Sequence, residues 1–382
     1  MIRRRSLRYV LVAGLTLAAC LCALRFKAES PVAADNLPAQ VDDEAFWQMI
    51  SEFSEPGGYF RSDNFLSNEM SFQYVIPRLT KSVNRDGVYL GVGPEQNFTY
   101  LAALRPKLAF IIDIRRQNML EHLLYKALIE LSANRAEFLS RLFSRKSSSN
   151  LGANPNVEAL FEAFKSAQPS RELFQQNLQA VQDQLVTRHG FSLTSNDLKG
   201  IEYVYNAFYK GGPELNYSFS AGEQGGWSWF PTYAQLMTET DARGEHRSYL
   251  ATDENFRILR GLEKNNAIVP LVGDFAGPKA LRSVGRYLKE HGATATAFYT
   301  SNVEQYLFQQ DEDWKKFYAN VATLPVDERS TFIRSVSNRG FYYRTSNQGR
   351  RSMPLLCEIT DLLKAFDGGR IVTYSDVIAM SN

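Results

Sequence analysis

Val88-Tyr89-Leu90-Gly91-Val92-Gly93-Pro94-Glu95-Gln96-Asn97, followed shortly by Leu108-Ala109-Phe110-Ile111-Ile112-Asp113, is the stretch on which the fold turns. Residues 88–90 are a short apolar run entering two glycines, and Asp86-Gly87 marks a turn just before it. Residues 108–112 have no polar interruption and read as a strand buried on both faces, as strands of parallel sheets are. Residues 98–104 predict a helix between the two, stopped near Pro106. Strand, glycine loop, helix, strand, acid is a βαβ unit, parallel and right-handed with few exceptions.

The pattern extends outward on both sides. Asp43 begins a short amphipathic helix, residues 54–64 form a Pro/Gly-broken loop rich in polar groups, and a second helix is expected from Ser67, closed by Pro77 or shortly after. Beyond Asp113, a long helix is expected from Asn118, with Asn118 and Glu121 at capping-box spacing. A polar break at 147–155 then introduces helices starting near Val157, Ser170 and Ser195, and a Gly- and aromatic-rich loop over 211–233. Alternation resumes with a strand over 267–274, a helix over 278–291 and a strand over 294–299. A helix at 314–321, a strand at 331–336 and a helix at 359–366 follow. The expected fold is α/β, a Rossmann-like, mostly parallel sheet flanked by helices, occupying residues 43–382 with an inserted helical cap at about 150–245.

Open parallel sheets bind ligands beyond the carboxyl ends of their strands, where Gly91, Val92, Gly93, Glu95 and Asn97 would meet Asp113 and Ile114. Glycines at 91 and 93 let the backbone turn and let a ligand approach it. Asp113 stands about twenty residues after Gly93, the spacing of an acid that accepts from ribose hydroxyls. Gln96 falls where a dinucleotide site needs its third glycine, so a pyrophosphate is disfavoured. Asp274, ending a later strand, is a candidate base or polar contact, or else the N-cap of the next helix. Glu55, Tyr59, Arg61, Asp63 and Asn64 are lid candidates. Trp227 and Trp229 could receive an apolar or sugar-like substrate or plug the cap. Arg115 and Arg116 read as an anion contact or a solvated turn.

The glycine segment resembles motif I of class I methyltransferases, with Asp113 at the motif II acid. Tyr89 stands where that pattern carries an acid, and Glu95 where it carries its third glycine. The strings SEPGGYFRSDN, YLGVGPEQNFTYLAALRPKLAFIIDIRR and VPLVGDFAGPKA are similar to those of a family of uncharacterised bacterial proteins with a methyltransferase-like fold. The cofactor this resemblance implies is S-adenosylmethionine or a related nucleoside. A non-catalytic envelope binding module on the same fold is the competing reading.

The bulk numbers exclude several classes. Arg3, Arg4, Arg5, Arg8, Arg25 and Lys27 lie in a segment without an acid, and the remaining 37 basic residues face 41 acidic ones, a net charge of −4. Such a body lacks the basic footprint of a nucleic-acid binder. Cys357 is the one cysteine beyond the N-terminal segment, and the four histidines are scattered, so no metal is expected. Residues 1–27 have the basic start and apolar run of an export signal, and the sixteen residues of 9–24 fall short of the ~20 of a full membrane span. Leu17-Ala18-Ala19-Cys20 looks like a lipobox with Cys20 as the lipidated residue, leaving lipoprotein signal, signal anchor and cleaved signal as alternatives. Each carries the body, past a linker at 28–42, to the cell envelope beyond the cytoplasm.

Overall fold

Leu108–Asp113 is buried along its whole length because it lies inside a sheet with a parallel neighbour on each side. The computed structural model describes residues 35–146, 151–152, 154–217, 230–337 and 352–382, of which 36–382 form one unit. Cys20, Trp227 and Trp229 lie outside the described residues.

The chain enters through α1 (Asp43–Phe53), a 3-10 turn (Phe72–Val75) and α2 (Ile76–Ser82). The βαβ unit follows as β1 (Val88–Gly91), α3 (Gln96–Leu104) and β2 (Leu108–Asp113). Next come α4 (Arg116–Glu130) and the inserted helices α5 (Arg135–Phe143), α6 (Val157–Ser166), α7 (Arg171–Gln182), α8 (Ser195–Gly211) and α9 (Tyr233–Thr238). The alternation then resumes with α10 (Asp253–Lys264), β3 (Ile268–Val272), α11 (Ala280–Glu290) and β4 (Ala295–Ser301). Helices α12 (Val303–Leu307) and α13 (Asp313–Val321) lead to β5 (Thr331–Ser337) and β6 (Ser352–Glu358), before α14 (Ile359–Asp367) and α15 (Tyr374–Ala379).

The strands lie in the order β3-β2-β1-β4-β5-β6, parallel except for β6, which runs antiparallel to β5 at the edge. This is a Rossmann-like sheet with an inserted helical cap. The strand order reverses between β1 and β4, so the crevice at a topological switch point falls beside the Gly91–Asn97 loop. Helix α4 packs against β2 and β3 and carries α8 and α5 on its outer side. Among the described residues no helix is long and apolar enough to cross a membrane.

Three local expectations are corrected. No regular helix starts at Ser67; the 3-10 turn begins at Phe72, and Pro77 sits in the first turn of α2, where its missing N–H costs nothing, rather than closing a helix. Helix α4 starts at Arg116, so Asn118 and Glu121 are not a capping box but two buried members of the same helical face. Asp274 does not cap α11. Its side chain accepts from the amide of Ala276 at 2.9 Å, a local turn. The capping carboxylate comes from Glu55, whose Oε1 accepts from the amides of Lys279 and Ala280, both at 2.7 Å, while Oε2 accepts from Asp274 N at 3.3 Å.

An anionic acceptor at a helix N-terminus satisfies orphan amides and meets the positive end of the macrodipole. Glu55→Ala is therefore expected to lower stability by about 1–2 kcal/mol in urea denaturation, whereas Asp274→Asn should stay within about 0.5 kcal/mol of the parent. Equal losses at the two positions would refute the assignment of the cap to Glu55.

Candidate functional site

The glycine loop is braced from within. Asn97 Nδ2 donates to the carbonyls of Val92 at 2.9 Å, Gly93 at 3.2 Å and Pro94 at 2.8 Å, and its Oδ1 accepts from the Tyr89 hydroxyl at 2.9 Å. Gly91 must lack a side chain because a Cβ there would fall 2.0 Å from Asn97 Oδ1. Tyr89 and Asn97 are thus part of the loop's own hydrogen bonding. Gly93 differs: it is buried, with φ +77°, and no described atom lies within 4 Å of where its Cβ would stand. At this point the backbone can be approached closely.

Asp113 is engaged by its own neighbour. Arg115 donates Nε to Oδ1 at 3.0 Å and Nη2 to Oδ2 at 2.9 Å, and its backbone amide donates to Oδ1 at 2.9 Å. Both side chains are buried, so the planar guanidinium covers the carboxylate edge that a ribose would use. Arg115 Nη1 also donates to the carbonyl of Asp63. Arg116 turns the other way and pairs with Asp197 of α8 at 2.7 Å. Arg115 is buried in its ion pair, and Arg116, exposed, is paired with Asp197, so neither is a free anion contact.

Residues 54–70 run as a strap across the carboxyl edge of the sheet. Glu55 N donates to Val272 O of β3 at 2.8 Å, and Gly58 N to Ile114 O just beyond β2 at 2.7 Å. A Cβ at Gly58 would strike the Ile114 side chain at 2.4 Å. Further along, Ser67 Oγ donates to Gln96 Oε1 at the start of α3. Glu69 accepts from Gln96 Nε2 at 3.0 Å, from the Tyr299 hydroxyl of β4 at 2.8 Å and from Ser301 Oγ. Ser352 Oγ of β6 donates to Met70 O at 2.8 Å. The lid candidates divide accordingly: Glu55 is a helix cap, and Asn64, in the orientation that satisfies its amide, bridges Leu66 O and Arg115. Arg61 is exposed, as is Tyr59 at 86%.

On the other side of the loop lies a group of residues that the sequence reading did not single out. Asn118, Glu121, His122 and Tyr125 share one face of α4 at i, i+3, i+4 and i+7, all fully or nearly fully buried. His122 Nε2 donates to Gly93 O at 2.9 Å. Burial lowers the imidazole pKa to about 4, so the ring is neutral, and since a carbonyl only accepts, its proton sits on Nε2. Nδ1 is then a bare acceptor without a partner, and Asn118 Nδ2 is a donor without one. Neither oxygen of Glu95 or of Glu121 closes a hydrogen bond, although the amides of Ser67 and of Glu95 itself lie near the Glu95 carboxyl. Burial pushes Glu95 up to about 8 and raises Glu121 strongly, with the Glu95 charge adding to the latter.

The glycine loop, Asp113, Ile114 and the strap therefore converge at the switch point, with Asp274 set apart at the end of β3. Among the described residues no three His, Cys, Asp or Glu side chains converge to hold a metal ion. A match to the family described as "Domain of unknown function (DUF7790)" covers residues 64–354. The chain belongs to the DUF7790 family. The DUF7790 span takes in the glycine loop, both arginines, the cap and Asp274, and begins inside the strap, after Glu55 and Tyr59. No curated protein matches the sequence.

The raised acid makes a signed prediction about pH. Glu95 holds a proton in the folded state that the unfolded chain releases above its ordinary pKa of 4.5, so its contribution to stability falls as pH rises from about 4.5 to about 8. Glu95→Gln keeps the shape and removes that loss. The variant should melt close to the parent at pH 4.5 and progressively above it toward pH 8; a melting difference that does not change with pH would refute the burial of an uncompensated acid.

Proposed function

We propose that this domain binds a small ligand of the nucleoside class at the Gly91–Asn97 loop, with S-adenosylmethionine as the cofactor and methyl transfer as the chemistry. The observation that carries the reading is Gly93, a buried, positive-φ glycine with open space on its Cβ side at the switch point of a parallel sheet. Gly91, Val92, Gly93 and Glu95 would contact the ligand backbone-first, and Ile114 would flank the base. Asp113 would meet a ribose once Arg115 has swung off it. The full-length chain in detergent should melt higher with S-adenosylmethionine, S-adenosylhomocysteine or adenosine, by about 2.7 kcal/mol at a hundredfold excess over Kd, and Gly93→Val should abolish the response. No shift with any of the three at millimolar concentration would sink the reading.

A second reading is a non-catalytic binding module. It is favoured by the Asp113–Arg115 pair and the strap, which occupy the side on which a cofactor ribose would lie.

For location, we propose that residues 1–27 export and tether the body to the cell envelope, with the membrane as its partner. A fusion of residues 1–40 to a reporter active only outside the cytoplasm should give activity. Reporter silence would place the body inside, where the methyl donor is made.

A further inference from the structure

His189 stands where the cap, α1 and α4 meet, and both of its ring nitrogens face a carboxylate. Nδ1 lies 2.7 Å from Asp43 Oδ1 in the first turn of α1, and Nε2 lies 2.7 Å from Glu130 Oε2 at the end of α4. The residue directly follows a π-helical turn (Asp183–Arg188) that continues α7, and its amide donates to Gln184 O at 3.1 Å, the wide-ring bond of such a turn. The imidazole stacks on Phe191 at 5.0 Å and 10°, and Phe191 stacks in turn on Phe46 and Trp47 of α1, each at 5.2 Å.

Two carboxylates at this distance require a doubly protonated ring. A neutral imidazole has one N–H, so its other nitrogen would set a lone pair against a carboxylate oxygen. The Gln184 amide, 3.3 Å from His189 Nε2, does not relieve this, because it donates to Glu130 Oε2 at 2.8 Å and leaves that oxygen 2.7 Å from the ring. The charged groups facing the imidazole are Asp43 from α1 and Glu130 and Lys126 from α4. Beyond Lys126 lies Glu263 of α10, a buried acid pushed up to about 8, and the neutral Asn266 donates to Asp43 Oδ1 at 2.9 Å. Burial lowers the His189 pKa and Lys126 lowers it further, but the bonds and charges of Glu130 and Asp43 outweigh both and raise it above 6.5. Glu130, which burial alone would raise, is held below its ordinary range by His189 and Lys126.

We propose that His189 is a pH-sensitive clasp, tying α1 to the end of α4 while the imidazolium bridges Asp43 and Glu130 and releasing the start of α1 when one proton leaves. The remaining proton stays on Nε2, because the Glu130 side chain is 5% exposed and cannot turn to water, whereas that of Asp43 is 42% exposed and can. Asp43 is the partner that parts. Because the folded pKa is raised, the clasp contributes fully below 6.5, and its contribution is lost as pH rises through the folded value. Helix α1 runs directly into the strap, where Glu55 caps α11 and bonds to β3, so the clasp lies at the root of the segment that crosses the crevice.

Two measurements on the full-length chain in detergent test this. In histidine-labelled protein, the resonance missing from His189→Gln should titrate with a pKa above 6.5, and Asp43→Asn should bring that pKa down. Between pH 6 and pH 9, amide protection over residues 43–53, referred to the intrinsic exchange rate at each pH, should fall by about tenfold for each pKa unit that Asp43 adds. Glu95 and Glu263 titrate in the same interval but persist in His189→Gln, so the fall that belongs to the clasp is the part this variant removes. Asp43→Asn, at a partly exposed position, should remove the same part and carries the test alone where His189→Gln does not fold. A His189 pKa at or below 6.5, protection over 43–53 that does not change with pH, or an equal fall in the parent and both variants would overturn the proposal.

Discussion

The contact on which the described structure most depends is the buried ion pair of Asp113 and Arg115. It sits where β2 ends, and its two residues are separated only by Ile114, so the chain must turn tightly for the guanidinium to fold back on the carboxylate. The same guanidinium reaches the carbonyl of Asp63, and the next residue, Arg116, pairs with Asp197 on α8. Two adjacent arginines thus join the sheet edge, the strap and the cap. Removing one partner of such a pair leaves an uncompensated buried charge, at a cost of about 3–5 kcal/mol, so these three parts hold together or loosen together.

That arrangement changes what the acid at the end of β2 can do. In an open Rossmann-like sheet this acid faces the ligand crevice. Here both of its oxygens accept from Arg115, and residues 54–70 follow the strand order across the crevice with contacts to β3, the end of β2, the start of α3, β4 and β6. Tyr89 and Gln96 take part in the same pattern: Tyr89 holds Asn97 inside the loop, and Gln96 bonds to Ser67 and Glu69. Tyr89 and Gln96, two positions that depart from the nucleotide-binding patterns, bond the loop to itself and to the strap, whereas the Glu95 carboxyl closes no hydrogen bond.

Much of the fold was legible because it rests on local apolar runs. Residues 108–112 could only be a doubly buried strand, and Thr194, Ser170 and Asn156 announce the cap helices as N-caps that accept from their own third-residue amides. Strand β6 was missed because Pro354 breaks its pattern, yet an edge strand tolerates a proline. Helix α10 was missed although Thr252 caps it and Phe256 and Leu259 mark its buried face. The strap was beyond a sequence reading, since its partners lie up to 282 residues away. The polar face of α4 carried a readable signal in the spacing of Asn118, Glu121, His122 and Tyr125, hidden by reading its first two members as a cap.

Satisfied and unsatisfied groups divide unevenly about the glycine loop, and the division bears on where a ligand is favoured. On the strap side a ligand has to displace hydrogen bonds already made to Asp113, Ile114 and Gln96, so its gain is only the difference between new contacts and old. On the cap side the carboxyls of Glu95 and Glu121, Asn118 Nδ2 and His122 Nδ1 close no hydrogen bond. His122 links the two sides, since its Nε2 proton rests on Gly93 O while Nδ1 is unused.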